Sequence, residues 1–255
     1  IKATPQIHRP LTQKWVQQIK TNRSLQTKSV IANNMFILMD SAKLTAIKIS
    51  SGDMLWSFDL NQQFRKDFIS IKNNLIFLIQ EIPKNQIVAL IPETGEIIQK
   101  IPVSNLIGTP VFTQGSIVFY DTNKLWSFHV GLSNLNWTKD LSIADNGYLT
   151  SINDHLICQL DTGEIVNIDT RTGDIKWKSY KSYDLSNKPV LTEDQIILTV
   201  ENQHKIDGRL IALNLTDGIE NWQFKKPLLK MEITQSPSIN GDVIICPTKI
   251  KYKDQ

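Results

Sequence analysis

The sequence predicts an all-β propeller of four-stranded antiparallel blades, and three repeated features predict it. An aromatic anchor recurs at Trp15, Trp56, Gln99 (a substituted position), Trp137, Trp177 and Trp222, at successive spacings of 41, 43, 38, 40 and 45 residues. A strand and a glycine turn stand just ahead of most anchors, with the glycines at Gly52, Gly95, Gly173 and Gly218. Two further strand-like segments follow each anchor. Four short strands in about 40 residues is the period of a propeller blade.

The clearest unit is Glu164–Asp169 followed by Thr170-Arg171-Thr172-Gly173-Asp174-Ile175-Lys176-Trp177. Gly173 supplies the positive φ that bulky residues resist, and Asp169 and Thr172 can bond the turn's own backbone. Leu44–Asp53, Ile87–Glu96 and Leu210–Gly218 repeat the pattern. The unit ending at Trp137 is degenerate: Ser133 takes the glycine place, and Trp126 is an additional aromatic. Lys14–Lys20 could be helical in isolation, but Trp15 lies on the ladder, so a strand is expected.

Between anchors, Thr109–Phe112 then Gly115–Tyr120, Lys188–Leu191 then Gln195–Val200, and Ser236–Ile239 then Asp242–Cys246 read as strand pairs. Each proline in them is expected to begin its strand, where a sheet tolerates one. Asn33-Asn34, Asn73-Asn74, Gln114-Gly115, Asn153-Asp154, Glu193-Asp194 and Asn240-Gly241 fall where hairpin turns belong. About six units are visible. They are expected to form one domain over 1–255 that is incomplete at its C-terminus, part of a seven- or eight-bladed ring. The tryptophans are expected to fill space between neighbouring blades, with a weaker contact at Gln99.

Composition bounds the function. The chain has 255 residues, 41% hydrophobic and 21% charged, with a net charge of +3. That is the balance of a globular protein, and no apolar run approaches the roughly 18 residues of a membrane-spanning helix. The densest basic run, Lys249–Lys253, is short and terminal, so nucleic acid is not an expected partner. Cys158 and Cys246 lie far apart in apolar segments and read as buried free thiols. The start at Ile1 reads as a processed or trimmed terminus, which leaves secretion open.

The pattern Leu-x-Ala-Leu-x-x-x-Thr-Gly-x-x-x-Trp, seen at 87–99, 165–177 and 210–222, resembles the pyrroloquinoline-quinone-type propeller repeat. The Gly-His and Trp-Asp dipeptides of WD repeats and the Gly-Gly pair of kelch repeats do not occur. The resemblance implies one of three branches. The first is a BamB-type scaffold lipoprotein of the outer-membrane β-barrel assembly machinery. It would be non-catalytic, without cofactor or metal, and periplasmic. It would be outer-membrane associated only through a lipid anchor that this chain lacks. The second is a quinone- and calcium-dependent dehydrogenase. The third is a luminal sensor of the unfolded-protein response in the endoplasmic reticulum, for which Asn22, Asn136 and Asn214 begin formal glycosylation triplets.

The scaffold branch implies a protein partner, such as a barrel-assembly component, docking on loops between blades. The segment 227–237 looks like such a linker: Leu229, Met231 and Ile233 alternate beside Lys230, so an extended chain would present an apolar stripe. The dehydrogenase branch implies adjacent cysteines, and none occur. The four histidines, His8, His129, His155 and His204, form no close pair. No glycine-rich phosphate loop or nucleophile elbow appears. No catalytic, cofactor-binding or metal-ligating residue is therefore expected.

Overall fold

A computed structural model describes residues 14–16, 28–40, 42–61, 63–103, 105–121, 123–131, 134–144, 147–201, 208–225 and 230–251. Every regular element in them is a β-strand, and the chain is an all-β propeller of four-stranded antiparallel blades. It divides into two compact units, Ile1–Val103 and Ser104–Gln255.

In the first unit, β1 (Lys28–Ala32), β2 (Met35–Met39), β3 (Lys43–Lys48) and β4 (Met54–Asp59) form one sheet in sequence order. A second sheet contains β5 (Phe64–Lys72), β6 (Leu75–Gln80), β7 (Gln86–Leu90) and β8 (Ile97–Pro102). Ile37, Leu44, Ala46, Ile76, Leu78 and Val88 form the core between the two sheets. Asn33-Asn34 and Asn73-Asn74 close the first hairpin of each sheet with φ positive at both positions, the turn whose twist matches the flanking strands.

The second unit repeats the plan. Its sheets are β9 (Ile107–Phe112), β10 (Ser116–Tyr120), β11 (Lys124–His129) and β12 (Leu135–Asp140); then β13 (Leu149–Ile152), β14 (His155–Gln159), β15 (Glu164–Asp169) and β16 (Ile175–Ser182); then β17 (Val190–Leu191), β18 (Gln195–Val200), β19 (Arg209–Asn214) and β20 (Glu220–Phe224). Last come β21 (Lys230–Ile233), β22 (Ser238–Asn240), β23 (Val243–Ile245) and β24 (Thr248–Lys251), where β21 pairs with β24 and β22 with β23. The second strand of four of the five four-stranded sheets (β6, β10, β14 and β18) is buried over nearly its whole length, whereas β2 alternates buried and half-buried residues. Sheets packed on both faces of these four make each an almost continuous apolar run.

One local device recurs in all five four-stranded sheets. The third residue of the outermost strand is the anchor, and it pairs with a small or short buried residue: Ala46 with Trp56, Ala89 with Gln99, Ser127 with Trp137, Asn167 with Trp177, and Ala212 with Trp222. The register shifts immediately beyond each of these pairs, as a β-bulge. A bulge bends its strand and re-aims a side chain, here beside a neighbour too small to obstruct a large ring.

Four expectations are corrected. Pro110 lies inside β9 rather than at its start; β9 is an edge strand with a register irregularity beside the proline, so its missing N–H breaks no regular ladder. Residues 14–16 adopt no strand, and the rest of Lys14–Lys20 lies outside the described residues. The expected linker at 230–233 is strand β21. Cys246 is half-buried and follows β23, whereas Cys158 is buried inside β14.

Trp137 is the most buried anchor tryptophan described, 8% exposed, whereas Trp177 is half-buried. Trp137→Ala is expected to lower stability by about 3–4 kcal/mol and Trp177→Ala by less, read from paired urea titrations.

Candidate functional site

The anchors explain what the glycine turns do. Trp56 Nε1 donates to the Pro92 carbonyl at 2.8 Å, Trp137 Nε1 to Thr170 at 3.0 Å, and Trp177 Nε1 to Leu215 at 2.9 Å. Trp15 Nε1 does the same to Ile49 at 2.7 Å. Each acceptor stands three residues before a glycine of the following repeat, and the ring lies on that glycine. A Cβ added to Gly52, Gly95, Gly173 or Gly218 would stand 2.8, 3.0, 2.8 or 2.6 Å from the ring of Trp15, Trp56, Trp137 or Trp177. All four glycines have φ between +73° and +80°. The turn therefore needs glycine twice, for its backbone conformation and for the room beneath the ring.

The turn is hydrogen-bonded in a repeated way. The glycine N–H donates to the carbonyl four residues back, as Gly173 does to Asp169 at 2.9 Å and Gly218 to Asn214 at 2.9 Å. Asp169 Oδ1 accepts from Arg171 N, and Thr172 Oγ1 accepts from Asp174 N. Asp169 N also donates to the Asp174 carbonyl, and in the degenerate unit His129 N donates to the Asn134 carbonyl across the same five-residue step. Ser133, which takes the glycine place there, lies outside the described residues.

The densest charge cluster sits on this hairpin. Lys176 Nζ is 2.6 Å from Asp154 and 3.4 Å from Asp169, and Arg171 is 3.1 Å from Asp169 and 3.6 Å from Asp154. The Arg171 guanidinium holds the Asp169 carboxyl well below the usual carboxylate range, and Lys176 lowers Asp154. Asn167, fully buried, donates to the Leu215 carbonyl that also receives Trp177, and its Nδ2 lies 2.8 Å from His155 Nδ1. His155 Nδ1 therefore accepts, which leaves Nε2 carrying the proton beside Asp154, 3.5 Å away. Two cations, two carboxylates and a histidine are thus tied to one another across the corner of a single blade. Each charge already has its counter-charge, an arrangement that fixes a turn and leaves none of the four poised as a proton donor or nucleophile.

The apolar stripe is only partly assembled. Ile233 is buried with Ile197, Leu210 and Ala212, so its side chain belongs to the core and is not a docking surface. That corrects the expectation for this residue: on a paired strand, the alternation marks an inward face. Leu229 lies outside the described residues. Lys230 and Met231 are placed by backbone pairing, opposite Lys251 and Ile250. Cys158 is buried among apolar side chains, which push its thiol up to about 12. Of the other histidines, His129 ends β11, while His8 and His204 lie outside the described residues. Among the described residues, no group of three or more His, Cys, Asp or Glu side chains could hold a metal ion.

Sequence reasoning located Trp and Gly but missed the small residue that precedes both in the motif. The alanine of Leu-x-Ala-Leu, replaced by Ser127 and Asn167 in two sheets, is the small partner opposite each anchor. Its recurrence was the available signal.

The pattern of the family described as outer membrane protein assembly factor BamB matches residues 12–151 and 132–252. The chain belongs to this family. Among solved structures, BamB from Moraxella catarrhalis is similar at 17% identity, with a TM-score of 0.59 over 86% of this chain and 68% of that one. Hsv2 from Kluyveromyces marxianus gives 0.61 at 12% identity over 87% and 70%, and the computationally designed Ika8 protein 0.63 at 9% over 88% and 70%. At these identities the likeness concerns the fold. No curated protein sequence matches the chain.

Two outcomes are expected. Gly218→Ala forces a Cβ into the Trp177 ring at a positive φ, and it is expected to cost about 2–4 kcal/mol, measured by thermal and urea unfolding. Asp169→Asn removes a carboxylate whose folded pKa is depressed. The stability that carboxylate contributes is present above the unfolded value of about 4 and is lost as pH falls through the folded value. The wild-type advantage over Asp169→Asn is therefore expected to be largest at neutral pH and to shrink progressively below about pH 4 in a pH series of melts.

Proposed function

We propose that the chain is a non-catalytic, protein-binding scaffold of the BamB type. It serves outer-membrane β-barrel protein assembly in the periplasm and recognises a barrel-assembly component through segments between blades. The observation that carries this reading is the family match across residues 12–252. The chemistry of the most charged cluster agrees with it, because Asp154, Asp169, Arg171 and Lys176 neutralise one another at a blade corner. Function in this fold resides in sites grafted onto it and not in the fold itself. Lys230 and Met231, the first two residues of β21, remain the proposed partner-facing positions, with Leu229 just ahead of them in sequence.

The test is affinity capture of the protein from the envelope of its own host. Recovery of the barrel-assembly component in the outer-membrane fraction is expected, weakened by Leu229→Asp with Met231→Asp while the thermal midpoint is retained. A quinone cofactor added with calcium is expected to leave both the absorption spectrum and the thermal midpoint unchanged. A saturable shift in either would overturn the scaffold reading in favour of a dehydrogenase.

A further inference from the structure

The chain enters three consecutive four-stranded sheets of the second unit, through β9, β13 and β17, around one cavity. Val111, Thr150 and Val190 pair with Val118, Ile157 and Ile197, each the third residue of the second strand of its sheet. Two residues ahead of them stand Thr109, Tyr148 and Lys188. These three residues therefore hold one position of the repeat in three neighbouring blades. All three line the same cavity of about 390 Å3, a volume in the range of small-molecule sites.

The walls of the cavity are fixed. Tyr120, 2% exposed, donates from its hydroxyl to the Gly147 carbonyl at 2.8 Å. Gly108 lies against that side chain with φ at +69°, and a Cβ there would stand 2.6 Å from the Tyr120 hydroxyl. Buried Leu149 adds an apolar wall. The polar groups, by contrast, are unspent. Among the described residues, the Thr109 and Tyr148 hydroxyls make no hydrogen bond and the Lys188 ammonium makes no ion pair. Lys188 keeps access to water, yet the protein gathered around it desolvates the ammonium and lowers its pKa. No acidic side chain lines the cavity. One cation and two free hydroxyls without a counter-charge make an arrangement that an anion completes.

We propose that this cavity binds a small organic monocarboxylate. Lys188 meets its carboxylate, the Thr109 and Tyr148 hydroxyls donate to the carboxylate oxygens, and its apolar body lies against Leu149 and the tyrosine rings. The charge count selects the class. A single ammonium balances one negative charge, whereas a phosphate dianion would bring a second charge into the cavity with no cation to meet it. Two hydroxyl donors match two carboxylate oxygens. The walls then select the body of the ligand, because an apolar pocket with a few convergent polar groups fixes orientation through those groups. Binding there is independent of protein docking on the segments between blades, so each can fail without the other.

The probes are phenylacetate and hexanoate, their neutral amides, and inorganic phosphate, each titrated against the protein and followed by ligand-observed NMR. Saturable binding of at least one carboxylate is expected, with its amide and phosphate at least tenfold weaker. Lys188→Gln should weaken that carboxylate at least tenfold, and Lys188→Arg should restore much of the loss. Thr109→Val together with Tyr148→Phe should weaken it severalfold. The thermal midpoint without probe is expected to stay at the wild-type value in both Lys188 variants, since that side chain has no ion pair to lose. Absence of saturable binding by either carboxylate overturns the proposal. Binding indifferent to Lys188→Gln overturns it too, as does phosphate binding as tightly as the carboxylates, which would reduce the lysine to a nonspecific anion contact.

Discussion

The structure depends on a tryptophan ring laid flat on a glycine. Sheets of short strands have little to hold them face to face beyond apolar side chains, which are non-directional. The Trp–Gly contact adds direction. The ring excludes any side chain beneath it, and the indole N–H finds a carbonyl exposed by the same turn, 33 to 38 residues further along the chain. Burial of an aromatic and satisfaction of its one donor are thereby met together. The turn, in turn, is held by its own backbone bonds and short polar side chains, so the socket is shaped by local bonds.

Around this contact the remaining residues have intelligible roles. Ala46, Ala89 and Ala212 leave space opposite the anchor, and the bulge beyond them aims it outward from its own sheet. Asn167 replaces alanine in one sheet without disturbing the plan, because its amide joins Trp177 on the same carbonyl of Leu215. The ion cluster of Asp154, Asp169, Arg171 and Lys176 ties two neighbouring turns of that blade. The charges of this cluster sit at a blade corner, where the turns' backbone needs them.

Much of this was legible in the residues. The ladder, the glycine turns, the paired asparagines and the blade period are local signals, each with a mechanism acting over a few residues. The strand identity of 230–233 was not legible, because it is fixed by pairing with Thr248–Lys251, and alternation alone does not say which side faces the core. Ile233 was misread for that reason. Pro110 was misplaced because the tolerance of a strand for proline depends on being at an edge with an irregular register, and that is decided by neighbours. The small residue opposite each anchor stood in the motif, but its purpose appears only when two strands are laid side by side.

Trp15, Trp56, Trp137 and Trp177 all reach forward: the carbonyl that receives each indole belongs to the repeat not yet made when the tryptophan emerges. A chain made from its N-terminus can therefore complete each four-stranded sheet from contiguous sequence, yet it carries an unseated ring for the stretch between each of these tryptophans and its glycine turn. Each of these glycine turns seats the ring of the repeat behind it, so neighbouring repeats stabilise one another. The interval of vulnerability is the time needed to deliver some three dozen residues, after which the exposed aromatic passes to the following repeat.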